Sequence, residues 1–331
     1  MSGAGLGVRE PTVSVIIAAF SMRRWDDLRG AVASVWAQTV PVLEIVVVID
    51  HNPSLLTLAR CELPGVTVIP NGGGHGASGA RNTGVAASHG ELVAFLDDDA
   101  VASPGWLEAL LCHFADTSVV GVGGRLDPLW VNSRPRWFPP EFDWTVGASY
   151  RGMPNRAEPV RNVWSNNMAI RREIFDLVGG FRDGFGKVGA RSRPEDTDLC
   201  LRVIEKQGGG IWIYEPAGVA GHRVPMERAT VRYFIYRCFN EGWGKAALAA
   251  LNGMGKSMST ERRYTRFVLP AALARGMRQA SRGDISGCFR SFAIVAGFTV
   301  AAIGFLVGHG ARIIHPTIIR RRRLAAPKTS P

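Results

Sequence analysis

Three adjacent carboxylates, Asp97, Asp98 and Asp99, follow directly on an apolar run in the stretch V-A-F-L-D-D-D-A, Val93 to Ala100. Acids packed side by side repel one another, and the cluster is costly unless a cation neutralises it. Hard divalent ions take oxygen ligands, and Mg²⁺ in particular is held by one or two carboxylates together with substrate phosphates. The plainer reading is a solvated acidic turn capping a helix that begins near Pro104. The run before the acids has no polar alternation, as in a strand buried on both faces. Its C-terminal end is where open α/β sheets bind ligands, which favours a metal–phosphate site.

Other residues could share that chemistry. Asp50 ends a second apolar run, E-I-V-V-V-I-D, and reads either as a strand-end turn residue or as an acceptor for a base N–H of a bound nucleotide. Asn71 to Asn82, N-G-G-G-H-G-A-S-G-A-R-N, is a flexible connector or a glycine loop whose amides approach phosphates at a helix N-terminus. It is no P-loop, because no G-K-[ST] follows. Arg81 falls in a first helical turn, the wrong end for the dipole, which suggests that it faces an anion. Ser165, Asn166 and Asn167 are turn polars or a shelf for sugar hydroxyls. In R-S-R-P-E-D-T-D-L-C-L-R, Glu195, Asp196 and Asp198 suit a helix N-terminus, and one of them could instead act as general base. His222, expected on a loop after a short strand, is a candidate metal or phosphate ligand.

The elements that must position these groups alternate. Strands are predicted over Val13–Ala19, Glu44–Asp50, Val66–Ile69, Leu92–Leu96, Val119–Arg125 and Ile211–Tyr214. Helices are predicted at about Asp26–Gln38, from about Ser78, over Pro104–Ala115, and over Arg172–Val178 with a Gly179–Gly180 stop. This β-α-β-α order predicts a parallel sheet with right-handed crossovers. Leu126–Val160, rich in Pro, Trp and Arg, shows little pattern and is expected to form an active-site flap.

Composition bounds the remainder. With 331 residues, 46% hydrophobic and 20% charged, most of the chain should be globular. Five scattered cysteines without a C-x-x-C argue against a zinc ribbon or disulfide framework and suit a reducing cytoplasm. Residues 1–10 lack a signal pattern and read as a disordered lead-in. From Arg228 onward, 18 Lys and Arg face 3 Asp and Glu, a net of +15, while the residues before net −4. Such a basic block seeks an anionic partner. Arg262–Arg278 reads as a basic amphipathic helix interrupted at Pro270, and Ser291–Gly308 is almost wholly apolar. The plainer alternative is a core helix with a solvated tail. Spanning would put Arg312 and Arg320–Arg323 outside, against the positive-inside rule. A helix lying in the cytosolic leaflet, or a re-entrant hairpin, is therefore preferred over a single span. Nucleic acid is excluded as partner, because no binding motif appears and the basic residues interleave with lipid-like apolar surface.

The ordered set resembles the family 2 inverting glycosyltransferases of GT-A fold over about Val13 to Arg223. It comprises a strand ending at Asp50, G-A-S-G-A-R-N-T-G, F-L-D-D-D, S-N-N-M-A-I-R-R-E-I-F with G-G-F, P-E-D-T-D-L and G-H. The resemblance implies a Rossmann-like, mostly parallel sheet flanked by helices. The catalytic domain would cover residues 11–227, a basic helical extension 228–285, and a membrane-associating segment with basic tail 286–331. It implies a donor side of Ala19, Asp50, Gly79, Arg81, Asp97 and Asp98, with Asp50 reading uracil. Asp97, Asp99 and His222 would hold Mg²⁺ or Mn²⁺, Asp196 with its neighbour Glu195 would act on the acceptor hydroxyl, and Ser165, Asn166 and Asn167 would face sugar. D-D-D-A-V, G-V-G-G-R, W-F-P-P-E-F at Trp137–Phe142 and N-N-M-A-I-R-R resemble a prokaryotic subgroup extending lipid-phosphate-linked sugars, glucosyl-dolichyl-phosphate glucuronosyltransferases among them. That implies a UDP-sugar donor and a lipid-linked or glycan acceptor at the cytoplasmic membrane face. A sugar nucleotidyltransferase is disfavoured by the P-E-D helix start and by the missing basic signature in the first loop. A non-catalytic adaptor is disfavoured by the intact acids Asp50, Asp97, Asp99 and Asp196.

Overall fold

The computed structural model describes residues 11–188 and 191–314. In chain order the elements are β1 (Val13–Ala19), α1 (Trp25–Trp36), β2 (Glu44–Ile49), α2 (Pro53–Glu62), β3 (Thr67–Pro70), α3 (Ala77–Ala87), β4 (Leu92–Asp97), β5 (Ala100–Ala102), α4 (Trp106–Leu111) and β6 (Val119–Trp130). There follow β7 (Glu158–Val160), β8 (Asn167–Arg171), α5 (Arg172–Val178), β9 (Gly186–Val188), β10 (Arg191–Arg193), α6 (Glu195–Gln207) and β11 (Ile211–Val224). The C-terminal helices are α7 (Val231–Asn252), α8 (Met254–Ser257), α9 (Ser259–Arg263), α10 (Leu269–Ser281) and α11 (Ser286–Ile314).

The sheet order is β3-β2-β1-β4-β8-β6-β11-β5, with β7 also on β11. β1, β2, β3 and β4 run parallel, and Ala18 faces Asp97 across β1 and β4. The Val and Ile side chains of β1, β2 and β4 are buried on both faces, which is why these strands read as continuous apolar runs. The sheet is mixed rather than mostly parallel: β8 lies antiparallel between β4 and β6, and β5 and β7 are antiparallel to β11. The chain leaves β6 and re-enters at β8 on the same edge of the sheet, so β8 must run backwards. β6 and β11 are also longer than their apolar cores predict, 12 and 14 residues. β11 carries an irregularity between Glu215 and Val219 that hides its continuity from a period-two reading.

The 126–160 stretch is not a flap over most of its length. Its first residues extend β6, and a 3-10 segment, Pro140–Val146, packs into an aromatic core of its own. Phe138, Phe142 and Phe234 are fully buried there, with ring centroids 5.3–5.6 Å apart. This core joins the catalytic sheet to α7, α10 and α11.

Pro270 does not interrupt its helix. A π-helical turn, Tyr264–Val268, lies directly ahead, closed by Leu269 N–H donating to the Tyr264 carbonyl. Proline lacks a donor and crowds the carbonyl four residues back, and the wider turn accommodates both. α11 is far longer than the apolar run that announced it. It lies along α7, where a Cβ on Gly304 would collide with the Phe239 carbonyl and one on Gly242 with the Ala301 carbonyl. Such glycines let two helix backbones touch. The other face of α11 exposes Phe289, Phe292, Val295, Phe298, Leu306 and Val307. Among the described residues it is the one helix long and apolar enough to cross a membrane. The lead-in 1–10 and Arg320–Arg323 lie outside the described residues. All five cysteines are free.

Candidate active site

The ends of β1, β2 and β4 bring the donor-side candidates to one edge of the sheet. Asp50 donates its backbone N–H to the carbonyl of Ala19 at 2.7 Å, fixing both at adjacent strand ends. The Asp50 carboxylate accepts from Asn71 Nδ2 at 2.7 Å and from the Gly76 amide at 2.9 Å, and meets His51 Nδ1 at 2.7 Å. Burial pushes its pKa up, but these hydrogen bonds outweigh burial and hold it below the usual carboxylate value. The glycine loop thus folds onto Asp50 and leads into α3. There Gly79 is buried so tightly against the Gly74 carbonyl that no side chain fits.

Arg81, in the second turn of α3, is 6% exposed, and its Nη2 donates to Asp97 Oδ1 at 2.8 Å. Its Nη1 lies 3.6 Å from Glu195 Oε1. Burial works against the Arg81 charge, but Asp97, Glu195 and Asp196 together raise its pKa. One guanidinium therefore links the strand-end acids to the acids that open α6.

Asp97, Asp99 and His222 present ligand atoms that all lie within 4.8 Å of one another. His222 sits inside β11, opposite Ala100 of β5, and not on a loop after a strand as expected. Its Nε2 is 3.2 Å from Asp99 Oδ1. Gly147 (φ +87°) passes so close that a Cβ there would stand 2.9 Å from the imidazole Cε1. Asp99 Oδ1 and His222 Nδ1 are buried and make no hydrogen bond. Two carboxylates and an imidazole with unspent lone pairs in one pocket fit a divalent cation. Burial acts to raise the Asp99 pKa, yet His222, Arg24 and Arg228 hold it well below the usual value. Asp98 moves the other way: burial raises it, Arg24 opposes, and Asp99 and Asp97 reinforce the rise.

Sequence reasoning missed two cations. Arg24, in the first loop, donates from Nη1 to Asp98 Oδ1 at 2.7 Å and places Nη2 3.0 Å from Asp99 Oδ2. Arg228 approaches Asp99 Oδ2 at 3.7 Å. The S-M-R-R run at the end of β1 was the available signal for Arg24. It also means that the first loop does supply a basic group, although one spent on the acid cluster.

At the head of α6, burial raises the pKa of both Glu195 and Asp196. Asp196 reinforces the rise at Glu195, while Arg81 opposes it at both. The Ser165 hydroxyl and amide also favour the ionised form of Asp196. Asp196 Oδ1 is buried without a hydrogen bond. Asp198 is a frame residue: fully buried, it accepts from Arg182 at 3.2 Å and from Arg202 at 2.8 Å. Asn166 donates to the Gly147 carbonyl at 3.4 Å, and its Oδ1 is unpartnered. Asn167 is turned into the frame. It accepts from Trp106 Nε1 at 2.7 Å and donates to the carbonyls of Arg125 and Gly218 at 2.8 and 3.0 Å. Its buried amide has no hydrogen bond left to offer a sugar.

The family model for glycosyl transferase family 2 matches residues 14–179. Glucosyl-dolichyl phosphate glucuronosyltransferase from Haloferax volcanii is 32% identical over 244 residues, 72% of this chain and 78% of the relative. Pre-mycofactocin glycosyltransferase from Mycobacterium tuberculosis is 32% identical over 58% of this chain, which spans only 38% of that relative. The fold is similar to a solved mannosyltransferase from Pyrobaculum calidifontis in complex with GDP-Man and Mn²⁺, at a TM-score of 0.56 and 18% identity, covering 94% of this chain and 89% of that one. It is also similar to GalNAc-T7 with UDP, GalNAc and Mn²⁺, at a TM-score of 0.53 and 17% identity, over 78% of this chain and 54% of that one.

Proposed function

The chain belongs to glycosyl transferase family 2, and from that premise we propose that it moves a hexosyl or hexuronosyl unit from a UDP-sugar to a lipid-phosphate-linked sugar, with inversion, at the cytosolic membrane face. One observation carries the reading. The metal-fit group Asp97, Asp99 and His222 and the carboxyl pair Glu195 and Asp196 meet across the single side chain of Arg81.

Asp97, Asp99 and His222 would hold Mg²⁺ or Mn²⁺, which when bound neutralises charge on a departing diphosphate. Arg81 adds a fixed positive charge on the same side. Asp50 receives the base: three donors already meet its carboxylate, and its oxygens together offer about four lone-pair sites, so capacity remains for a base N–H. Asp196 takes the proton of the attacking hydroxyl onto its unpartnered Oδ1. Its raised proton affinity brings it closer to the range useful to a general base. One displacement at the anomeric carbon needs no second carboxylate on the leaving-group side, unlike glycoside hydrolysis. Ser165 orients Asp196, and Asn166 faces the acceptor.

The membrane side of the reading is supported by α11. Its contacts with the body run from Gly287 to Gly308, which suits a helix lying in one leaflet better than one crossing it. The test is incubation of the full chain with UDP- and GDP-sugars, Mn²⁺ and a polyprenyl-phosphate-linked sugar, measuring released nucleotide. UDP release that stops with EDTA or in Asp99→Asn is expected. Full turnover in excess EDTA, or GDP release alone, would overturn the reading.

A further inference from the structure

A cavity of about 410 Å³ opens between the 134–141 segment and the α10–α11 hairpin, remote in sequence from the catalytic acids. Five arginines line it. Three are fixed by acids: Arg134 donates to both oxygens of buried Asp143 at 2.6 and 2.7 Å, Arg275 pairs with buried Glu141, and Arg290 pairs with Asp284 at 2.8 Å. Arg290 also donates to the Arg136 carbonyl at 3.1 Å, tying α11 to the far wall. The other two, Arg136 and Arg151, are exposed, and their guanidinium groups pair with no acid among the described residues. The cavity therefore presents two exposed guanidinium groups that make no ion pair, Arg151 still within reach of the Asp143 charge, on a wall braced by three paired ones. Guanidinium forks match phosphate oxygens in a bidentate way, and the two unpaired ones are free to turn toward an anion in the cavity.

Apart from Gln279, the remaining lining is apolar, with Phe138, Ala272 and Ile294. Beside it α11 turns Phe289 and Phe292 to solvent, 54% and 76% exposed, next to Arg290 and Ile294 of the cavity wall. One helix thus carries a cavity-wall arginine, itself paired with Asp284, and bare aromatic rings on adjoining faces. That pairing of chemistries fits a phosphate attached to a hydrocarbon chain better than a free anion.

We propose that this cavity binds the phosphate of an anionic lipid, with the lipid chain lying along the exposed face of α11. The inference rests on the membrane reading of α11 and deepens it, because it supplies a second, headgroup-directed contact. The occupant is either a bulk phospholipid or the phosphate of the lipid-linked acceptor. The seven-residue segment Pro140–Val146 leads from the cavity to Gly147, which touches His222.

The test is flotation of the full-length protein with three kinds of vesicle: phosphatidylcholine alone, with phosphatidylglycerol, and with a small fraction of polyprenyl phosphate. Arg136→Ala/Arg151→Ala is compared with Arg278→Ala/Arg282→Ala, which removes the same charge from exposed positions in and just after the last turn of α10, outside the cavity. Two charges near an anionic surface correspond to about 2 kcal/mol, or roughly 30-fold in affinity. The cavity double variant is expected to lose about that factor on vesicles with anionic lipid and nothing on zwitterionic phosphatidylcholine, with the control losing clearly less. Loss confined to polyprenyl phosphate assigns the site to the acceptor, and equal loss on phosphatidylglycerol assigns it to bulk lipid. Equal losses in the two double variants overturn the proposal, because diffuse charge then accounts for the binding. Calorimetry in which inorganic phosphate binds wild type but not the cavity variant, while flotation ignores lipid charge, overturns the lipid assignment. Wild type that floats with no vesicle overturns the membrane reading itself.

Discussion

Glu261→Gln should loosen the C-terminal extension from the catalytic body, and the size of the effect follows from one cluster. Glu261 accepts from Arg161 at 2.7 and 3.1 Å and lies 2.7 Å from Lys245. Both cations are nearly buried, at 10% and 12% side-chain exposure. Burial works to raise the Glu261 pKa, but Lys245 and Arg161 bring it down to about 2 from 4.5. At 1.36 kcal/mol per pH unit that gap is worth about 3 kcal/mol, and its 23% exposure lets solvent screen part of it, leaving about 2–3 kcal/mol. The folded pKa is depressed, so the contribution is complete above about pH 4.5 and fades as pH falls toward 2. At pH 3 about 40% of it should remain. Urea unfolding of wild type and variant, followed by tryptophan fluorescence, should give a gap of about 2–3 kcal/mol at pH 7 that shrinks by more than half at pH 3. Glu158→Gln is the control. Its pair with Arg263 is 3.7 Å long and solvent-exposed, and its loss should cost under about 0.5 kcal/mol. An equal gap at both pH values, or one no larger than the control, would refute the cluster as the fastening.

Two further outcomes follow from geometry. Asp196→Asn should keep UDP binding, measured by calorimetry, yet lower turnover by roughly 10²–10⁴-fold, the usual cost of a lost general base; near-normal turnover with a dead Glu195→Gln would place the base one residue earlier. Gly304→Leu should lift α11 from the Phe239 carbonyl and speed amide exchange in α7, whereas Ala302→Leu, on the exposed face, should leave exchange unchanged; equal exchange in the two would show that the helix seam is not close-packed.

How much of this was legible in the sequence differs by element. α5 appears where the pattern placed it, Arg172–Val178, because Gly179 closes it in the left-handed conformation that glycine accepts most readily. The parallel strands were legible because burial on both faces demands an unbroken apolar run. β8 was not among the predicted strands: its first residues read as turn polars or a sugar shelf, and local periodicity carries no sign of which way a strand runs. Asn167 looked like a ligand contact, since nothing local reveals that Trp106, Arg125 and Gly218 would converge on it. Arg24 and Arg228 were invisible for the same reason, because their partner acids lie 74 and 129 positions away. The aromatic content of 126–160 suggested a flap only because its partners, Phe234 and Ile294, come much later in the chain.

The π turn at Tyr264–Val268 has a consequence for how α9 and α10 can vary. An α-helix turns about 100° per residue, and a π turn holds one residue more than its neighbours need. Upstream of it Glu261 grips Arg161 and Lys245, and downstream of it Arg275 grips Glu141. The turn sets the rotational phase between these two grips. If the same residues wound as an ordinary α-helix, the extra one would swing one end by about 100° relative to the other. Either Glu261 or Arg275 would then face away from its partner, however well each local sequence still favoured helix. The winding of this segment is therefore under tighter constraint than its helical propensity alone would set.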